Sequence, residues 1–117
     1  MRESVKKLLK QVNLRNDYAV YEDGGSYLVA GENRRGQRYE CRVRREAVSY
    51  LRDRTKGQRI TAEQAGDVLE AVAERFKLPY TYGDKLRYSG QYVLIAAVAL
   101  GHAAVTKEGR SYVYSIK

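Results

Sequence analysis

The segment SGQYVLIAAVALG, residues 89–101, is apolar on nearly every side when it is wound into a helix. A helix of this kind has no polar face to offer to water, so it must lie at the centre of the fold. Ser89 is predicted as its N-cap and Gly101 as the residue that ends it. A buried strand is the alternative, because short apolar runs suit both structures.

Upstream of this segment the sequence predicts one short helix and three strands. Residues 3–12 are predicted to be helical, because their apolar residues follow the i, i+3, i+4, i+7 spacing of one helical face. These apolar residues are Val5, Leu8, Leu9 and Val12. The three strands are predicted from short β-favouring runs separated by glycine-containing turns, which suit tight hairpins. They lie at residues 17–22, 26–31 and 38–44.

Two further helices are predicted between the third strand and the central segment. The first covers residues 45–55. The second covers residues 61–77, and Thr61 and Gln64 at its start match the capping box T-x-x-Q. After the central helix, a turn at Glu108-Gly109 divides two short strands.

These elements predict an α+β fold in the order α-βββ-αα-α-ββ. A three-stranded antiparallel meander is expected to pack on a helical layer, with a C-terminal β-hairpin. A chain of 117 residues is expected to form a single domain, residues 1–117. The last elements resemble a winged helix-turn-helix in their order. A recognition helix must present polar side chains to base edges, however, and residues 92–100 carry almost none.

Positive charge is concentrated in residues 34–59. This segment holds ten basic and three acidic side chains, a net charge of +7 out of +8 for the whole chain. Nine of the ten basic residues are arginines, whose planar guanidinium groups suit phosphates and guanine edges. A local excess of this size indicates a polyanionic partner, with nucleic acid as the first candidate.

The alternation of side chains along the third strand predicts how these charges are arranged. Side chains alternate between the two faces of a strand, so Tyr39, Cys41 and Val43 are predicted to face the core. The arginines between them are predicted to face outward. The helix at residues 45–55 is predicted to extend this basic surface. The turn before the strand is predicted to present two more arginines. The predicted nucleic-acid-binding residues are Arg34, Arg35, Arg38, Arg42, Arg44, Arg45, Arg52 and Lys56.

The sequence therefore predicts a non-catalytic nucleic-acid-binding protein that contacts phosphates through an arginine-rich strand–helix face, with duplex DNA favoured over RNA. One alternative is a small interaction or regulatory protein that docks an acidic protein, and self-association is a further use of the same charges. Another alternative is a metal-dependent nuclease with Asp23 and Glu40 as carboxylates, in which Glu40 would be catalytic. No catalytic residue, metal or cofactor is assigned, because the sequence contains no phosphate-loop or HExxH motif.

The numbers of cysteine and histidine residues exclude two kinds of site, an internal disulfide and a tetrahedral zinc site. Cys41 has no second cysteine to pair with, and one cysteine with one histidine, His102, does not complete a tetrahedral zinc site. Cys41 is therefore predicted to be a buried structural residue. The N-terminus has no signal-peptide pattern, and the longest apolar run is about half the length of a membrane span. A cytoplasmic location with no membrane partner is predicted.

Overall fold

A four-stranded antiparallel sheet forms the first half of the fold in the computed structural model, which describes residues 7–78 and 87–117. Its strands follow each other in sequence order, and the second and third turns contain Gly24 and Gly36 at positive φ. The three predicted strands are confirmed to within one residue at each end. The strands are β1 (Lys7–Asn13), β2 (Asp17–Asp23), β3 (Ser26–Glu32) and β4 (Arg38–Arg44).

The strand β1 replaces the helix predicted over residues 3–12. Residues 3–6 lie outside the described part of the chain, and residues 7–12 are extended and paired with β2, so the helix prediction is wrong there. The apolar spacing is misleading, because Val12 is buried whereas Leu8 is 50% exposed. The register shifts between Leu8 and Lys10. This irregularity interrupts the alternation that would otherwise identify a strand.

The two helices that follow differ in how well the sequence predicts them. Helix α1 (Arg45–Thr55) matches its prediction. Helix α2 (Ala62–Leu69) begins with the predicted capping box, in which the backbone N–H of Gln64 donates to Thr61 Oγ1 over 3.2 Å. It is shorter than the predicted 61–77, because a 3₁₀ turn at Glu70–Val72 follows it directly.

Helix α3 (Arg87–Ala99) is the central core helix that its composition predicts, and the buried-strand alternative is wrong. The side chains of residues 93–96 are fully buried. The N-cap prediction is wrong, because the helix begins two residues before Ser89, which is buried. Gly101 ends the helical turn as predicted, at a φ of 77°, and the N–H of His102 donates to Ala97 O over 2.8 Å.

A second, three-stranded sheet closes the fold. It contains β5 (Arg59–Ile60), β6 (Ala103–Glu108) and β7 (Ser111–Ile116) in the order β5-β7-β6. The C-terminal hairpin is as predicted. Strand β5 is not predicted, because a strand of two residues is too short to show an alternating pattern. The α+β class is therefore confirmed. The predicted three-stranded meander is wrong in detail, since the observed order is ββββ-α-β-α-α-ββ.

Helices α2 and α3 touch at the level of their backbones. A Cβ atom built on Gly90 of α3 would lie 2.4 Å from the carbonyl oxygen of Ala62 and 2.7 Å from the nitrogen of Gly66. Both distances are far below ordinary contact, and the atoms concerned are main-chain atoms that no side-chain rotation can move away. The crossing of α2 and α3 therefore depends on glycine at position 90.

We expect Gly90→Ala to lower the free energy of unfolding by about 2 kcal/mol or more, because the helices must separate to admit the methyl group. This loss outweighs the gain of about 1 kcal/mol that alanine brings to a helix. Chemical denaturation measures the change. The matched control is Gly25→Ala, where no atom lies within 4 Å of the new Cβ and we expect a change of about 0.5 kcal/mol or less. Equal effects at the two positions would contradict the close crossing.

Candidate nucleic-acid interface

Strand β4 presents its side chains as its alternation predicts. Val43 is buried, and Tyr39 and Cys41 are half-buried against the core. The charged residues point to the opposite face, which none of the described helices covers. These outward residues are Arg38, Glu40, Arg42 and Arg44.

Carboxylates from β2 and β3 bind three of the predicted arginines. Three ion pairs form: Arg38 with Glu32 at 3.0 Å, Arg42 with Asp23 at 2.9 Å, and Arg45 with Glu22 at 3.5 Å. All three arginines are more than half exposed, so each pair contributes about 1 kcal/mol or less to stability. Their larger effect is on charge. The three carboxylates neutralise part of the positive charge that the sequence of residues 34–59 leads one to expect at the surface.

The eight predicted residues form three groups rather than one surface. The loop group, Arg34, Arg35 and Arg38, lies at the turn between β3 and β4. The hairpin group, Arg42, Arg44 and Arg45, lies around the turn between β2 and β3. Arg38 and Arg42, the nearest members of the two groups on β4, are four residues apart, which is roughly 13 Å along the strand.

The third group lies beyond the sheet, toward the end of α1. Arg52 donates from Nε to the backbone oxygen of Lys117 over 3.0 Å, and Lys56 is exposed after the last helical turn. Helix α1 turns its buried residues into the common core, where it contacts helices α2 and α3. The helix therefore does not extend the outward row of β4 as predicted.

The β3–β4 loop is held firmly by Asn33. The side-chain oxygen of Asn33 accepts from the backbone N–H groups of Arg35 at 2.9 Å and Gln37 at 3.0 Å, and its amide donates to Gln37 Oε1 at 2.7 Å. Its backbone also bonds to Gln37 and Gly36, both at 3.0 Å. Within the described chain, Arg34 and Arg35 have no side-chain partner and are exposed. The loop thus presents two free guanidinium groups from an ordered frame.

Arg15 is a basic residue at this site that the sequence prediction missed. It is exposed in the β1–β2 turn, which lies at the same end of the antiparallel sheet as the β3–β4 turn. The amide of Asn16 donates to Tyr39 Oη over 2.6 Å and ties the two turns together. The signal was hidden because β1 was predicted as a helix, so the β1–β2 turn was not recognised.

An acidic groove on the outward face begins at the β3–β4 end of the sheet, where Asp17, Glu32 and Arg38 lie side by side on neighbouring strands. It is an open groove of about 830 Å³, lined by Glu40, Asp17, Glu32 and Arg38, with Ala19 and Ala30 on its floor. Three carboxylates against one guanidinium disfavour phosphate in the groove. Continuous contact of a phosphate chain along the whole row of β4 is therefore not favoured.

The two carboxylates of the nuclease alternative are far apart. Asp23 lies opposite Ser26, which pairs with Arg44, whereas Glu40 lies opposite Ala30. Four residues along β4 separate the two carboxylates by roughly 13 Å, too far to share one ion. Asp23 is also bound to Arg42. Across residues 7–78 and 87–117, no group of three or more metal-ligating side chains comes together.

Helix α3 occupies the place of a recognition helix in the sequence of elements, but it contacts the protein instead. Four of its consecutive side chains, residues 93–96, are fully buried beneath the four-stranded sheet and the other helices. Gln91, on its first turns, donates to Tyr18 Oη of β2 over 3.1 Å. A helix covered in this way does not enter a DNA groove, so any contact with nucleic acid would have to come from other parts of the surface.

Comparisons of the chain with protein-family models, with curated proteins and with solved structures found no match. The helices that the structure describes include none long and apolar enough to cross a membrane. Any functional proposal for this chain therefore rests on its own geometry and charge.

Burial raises the pKa of the Cys41 thiol to about 11, from an ordinary value of 9.0. Two pKa units leave roughly a hundredfold less thiolate at neutral pH, and the thiolate is the form that reacts. We therefore expect iodoacetamide to alkylate native Cys41 about a hundredfold more slowly than the same residue in urea-unfolded protein, with the rate rising as the pH approaches 11. Mass spectrometry of timed samples measures both rates. Similar rates in the two states would show that the strand leaves the thiol open to water.

Proposed function

We propose that this protein binds nucleic acid without catalysis, with duplex DNA favoured over RNA, and that the loop group makes the principal contact. The observation that carries the proposal is the β3–β4 loop, where Arg34 and Arg35 are exposed and unpaired within the described chain on a frame of five hydrogen bonds from Asn33. Ordering a loop on binding costs free energy. A loop that is already ordered avoids most of that cost.

Two adjacent arginines at a hairpin tip suit the narrow minor groove of duplex DNA. The groove carries an enhanced negative potential that attracts inserted guanidinium groups. Arg15 on the neighbouring turn is placed to contact a phosphate beside the groove, since Asn16 holds that turn against β4. RNA fits this geometry less well, because its minor groove is wide and shallow.

The other predicted residues are assigned smaller roles. Arg44 and Lys56 have no ion-pair partner in the described chain and remain available to phosphates. Arg38, Arg42 and Arg45 each have a carboxylate partner, so a phosphate must compete with that carboxylate. Arg52 donates to a backbone oxygen and extends the surface only at its far end.

An acidic protein partner is the alternative that uses the same cations. A gel-shift experiment with random duplex DNA, single-stranded DNA and RNA separates the two functions. A shift that is strongest with duplex DNA supports the proposal. If none of the three nucleic acids is shifted at low salt, nucleic-acid binding is excluded and the acidic protein becomes the favoured partner.

We expect the affinity for duplex DNA to depend steeply on salt. If the three free arginines near the β3–β4 loop and one or two other cations each displace a counterion, the logarithm of the association constant falls with the logarithm of salt concentration at a slope of about −4. Fluorescence anisotropy titrations over a range of salt concentrations measure this slope. A slope near zero would mean that phosphates are not the contact.

We expect Arg34→Ser combined with Arg35→Ser to weaken duplex binding by about 10- to 50-fold at moderate salt and to reduce the salt slope by about 2. The melting temperature should not change, because neither side chain has a partner in the described chain. The matched control is Arg59→Ser with Arg75→Ser, which removes two exposed charges away from the loop. Arg59 is bound to Glu108, and Arg75 lies over the Phe76 ring. Equal losses in the two double variants would mean that net charge alone governs binding.

A further inference from the structure

Strand β4 is an edge strand whose second hydrogen-bonding side is left open by the described residues. It pairs with β3 along all seven of its residues without a bulge, and no described strand pairs with its other side. An open edge offers N–H and C=O groups to a strand of another chain. The opposite edge, β1, carries two lysines and a register shift, which are features that hinder such pairing. The two edges of the sheet therefore differ, and β4 is the one suited to association.

We propose that two copies of this chain associate through their β4 strands, antiparallel, with Cys41 of one copy opposite Cys41 of the other. The two sheets then form one eight-stranded antiparallel sheet about a two-fold axis. An interface of this kind closes on itself and does not propagate into a fibre. The inference is independent of nucleic-acid binding and stands on the residues of the strand itself.

Charge complementarity on the outward face supports this register. With Cys41 at the centre, Glu40 of each copy lies opposite Arg42 of the other copy, and directly opposed unlike charges stabilise antiparallel strands. Glu40 has no ion-pair partner within the described chain, because Ala30 lies opposite it on β3. The second copy thus supplies the partner for a carboxylate that is otherwise unpaired in a row of arginines.

The core side of the strand also gains contacts in this register. Tyr39 of each copy lies opposite Val43 of the other, and aromatic residues pair well with β-branched residues across strands. Tyr39 and Cys41 are half-buried in the single chain, while Val43 is only 1% exposed. Association therefore covers apolar surface that the four-stranded sheet leaves partly open.

The neighbouring registers that keep the core faces aligned are less favourable. If Glu40 lies opposite Glu40, Arg38 lies opposite Arg42, so every outward pair is of like charge. If Arg42 lies opposite Arg42, Glu40 lies opposite Arg44, but only five residues of each β4 strand pair and the central arginines repel each other. The register centred on Cys41 pairs the whole strand, and its like-charge pair is Arg38 opposite Arg44, which occurs at both ends and in which Arg38 is already bound to Glu32.

Two charge-reversal variants test the pairing of Glu40 with Arg42. Glu40→Arg alone places arginine opposite arginine at both central pairs, and Arg42→Glu alone places glutamate opposite glutamate. We expect each variant to raise the dimer dissociation constant about tenfold or more. An equimolar mixture should restore association, because a heterodimer has unlike charges at both pairs. Sedimentation velocity measures all three samples and the unchanged protein, and circular dichroism checks that each variant is folded.

The experiment with mixed variants can either support or overturn the proposed dimer. Recovery of dimer only in the mixture supports the proposed register. A protein that stays monomeric at every accessible concentration, or variants that associate as well as the unchanged protein, would overturn it. Because Arg42→Glu loses the pair with Asp23 and risks unfolding, the unchanged protein is also tested directly by cross-linking.

Opposite residues in antiparallel strands have Cα atoms about 4.5–5.5 Å apart, within the range that a disulfide spans. Copper-phenanthroline with dioxygen, at alkaline pH, should therefore join two chains through Cys41 into a covalent dimer. Dioxygen accepts the two electrons and the two thiol protons and leaves as hydrogen peroxide, with the copper complex as catalyst. Cys41→Ser is the control and should give no product. A folded protein that dimerises but gives no cross-link would exclude the register centred on Cys41.

Salt concentration separates this inference from the proposed function. Salt screens both the repulsion between two chains of charge +8 and the attraction of the Glu40–Arg42 pairs, so association through β4 should change little as salt rises. Binding to duplex DNA should weaken under the same conditions. Association that collapses with rising salt in nucleic-acid-free protein would contradict the proposed interface, and it would leave the DNA-binding proposal untouched.

Discussion

The burial of α3 is the interaction on which the rest of the structure depends. Residues 93–96 are fully buried, so the four-stranded sheet, the other two helices and the terminal hairpin must cover the helix from different sides. The backbone contact between Gly90 and α2 brings two of these layers as close as two helices can lie. Because this helix is occupied with packing, its side chains contribute little to the polar surface, which the other elements supply.

The local patterns of the sequence predict the elements better than they predict the way the elements pair. Alternation along residues 38–44 and the apolar character of residues 89–101 each identify a structure without reference to any other part of the chain. The strand β1 is different, because its register shift weakens the alternation and its pairing with β2 alone makes it extended. Strand β5 has only two residues, so only its place beside β7 defines it. These features depend on long-range register, which no local pattern encodes.

The candidate site shows the same limitation in its charges. The count along residues 34–59 correctly locates the arginines, but the carboxylates that oppose them come from Glu22, Asp23 and Glu32 on the preceding strands. Those residues face the arginines only because β2, β3 and β4 are neighbours in one sheet. Within the described chain, the arginines without a carboxylate partner include the two on the β3–β4 loop, where the hydrogen bonds of Asn33 hold the backbone. The loop group is therefore proposed as the principal contact because of the ion pairs in the folded sheet, and not because of the number of charges along the sequence.

The proposed dimer and the proposed binding of DNA would affect each other through the repulsion between Arg38 of one copy and Arg44 of the other. In the register centred on Cys41, the hairpin group of one copy lies beside the loop group of the other, since Arg44 is opposite Arg38. Two basic groups that repel each other in the free dimer form one stronger site for a polyanion. A polyanion that neutralises both groups removes the repulsion and so favours association. By linkage, association must then raise the affinity for the polyanion by the same factor.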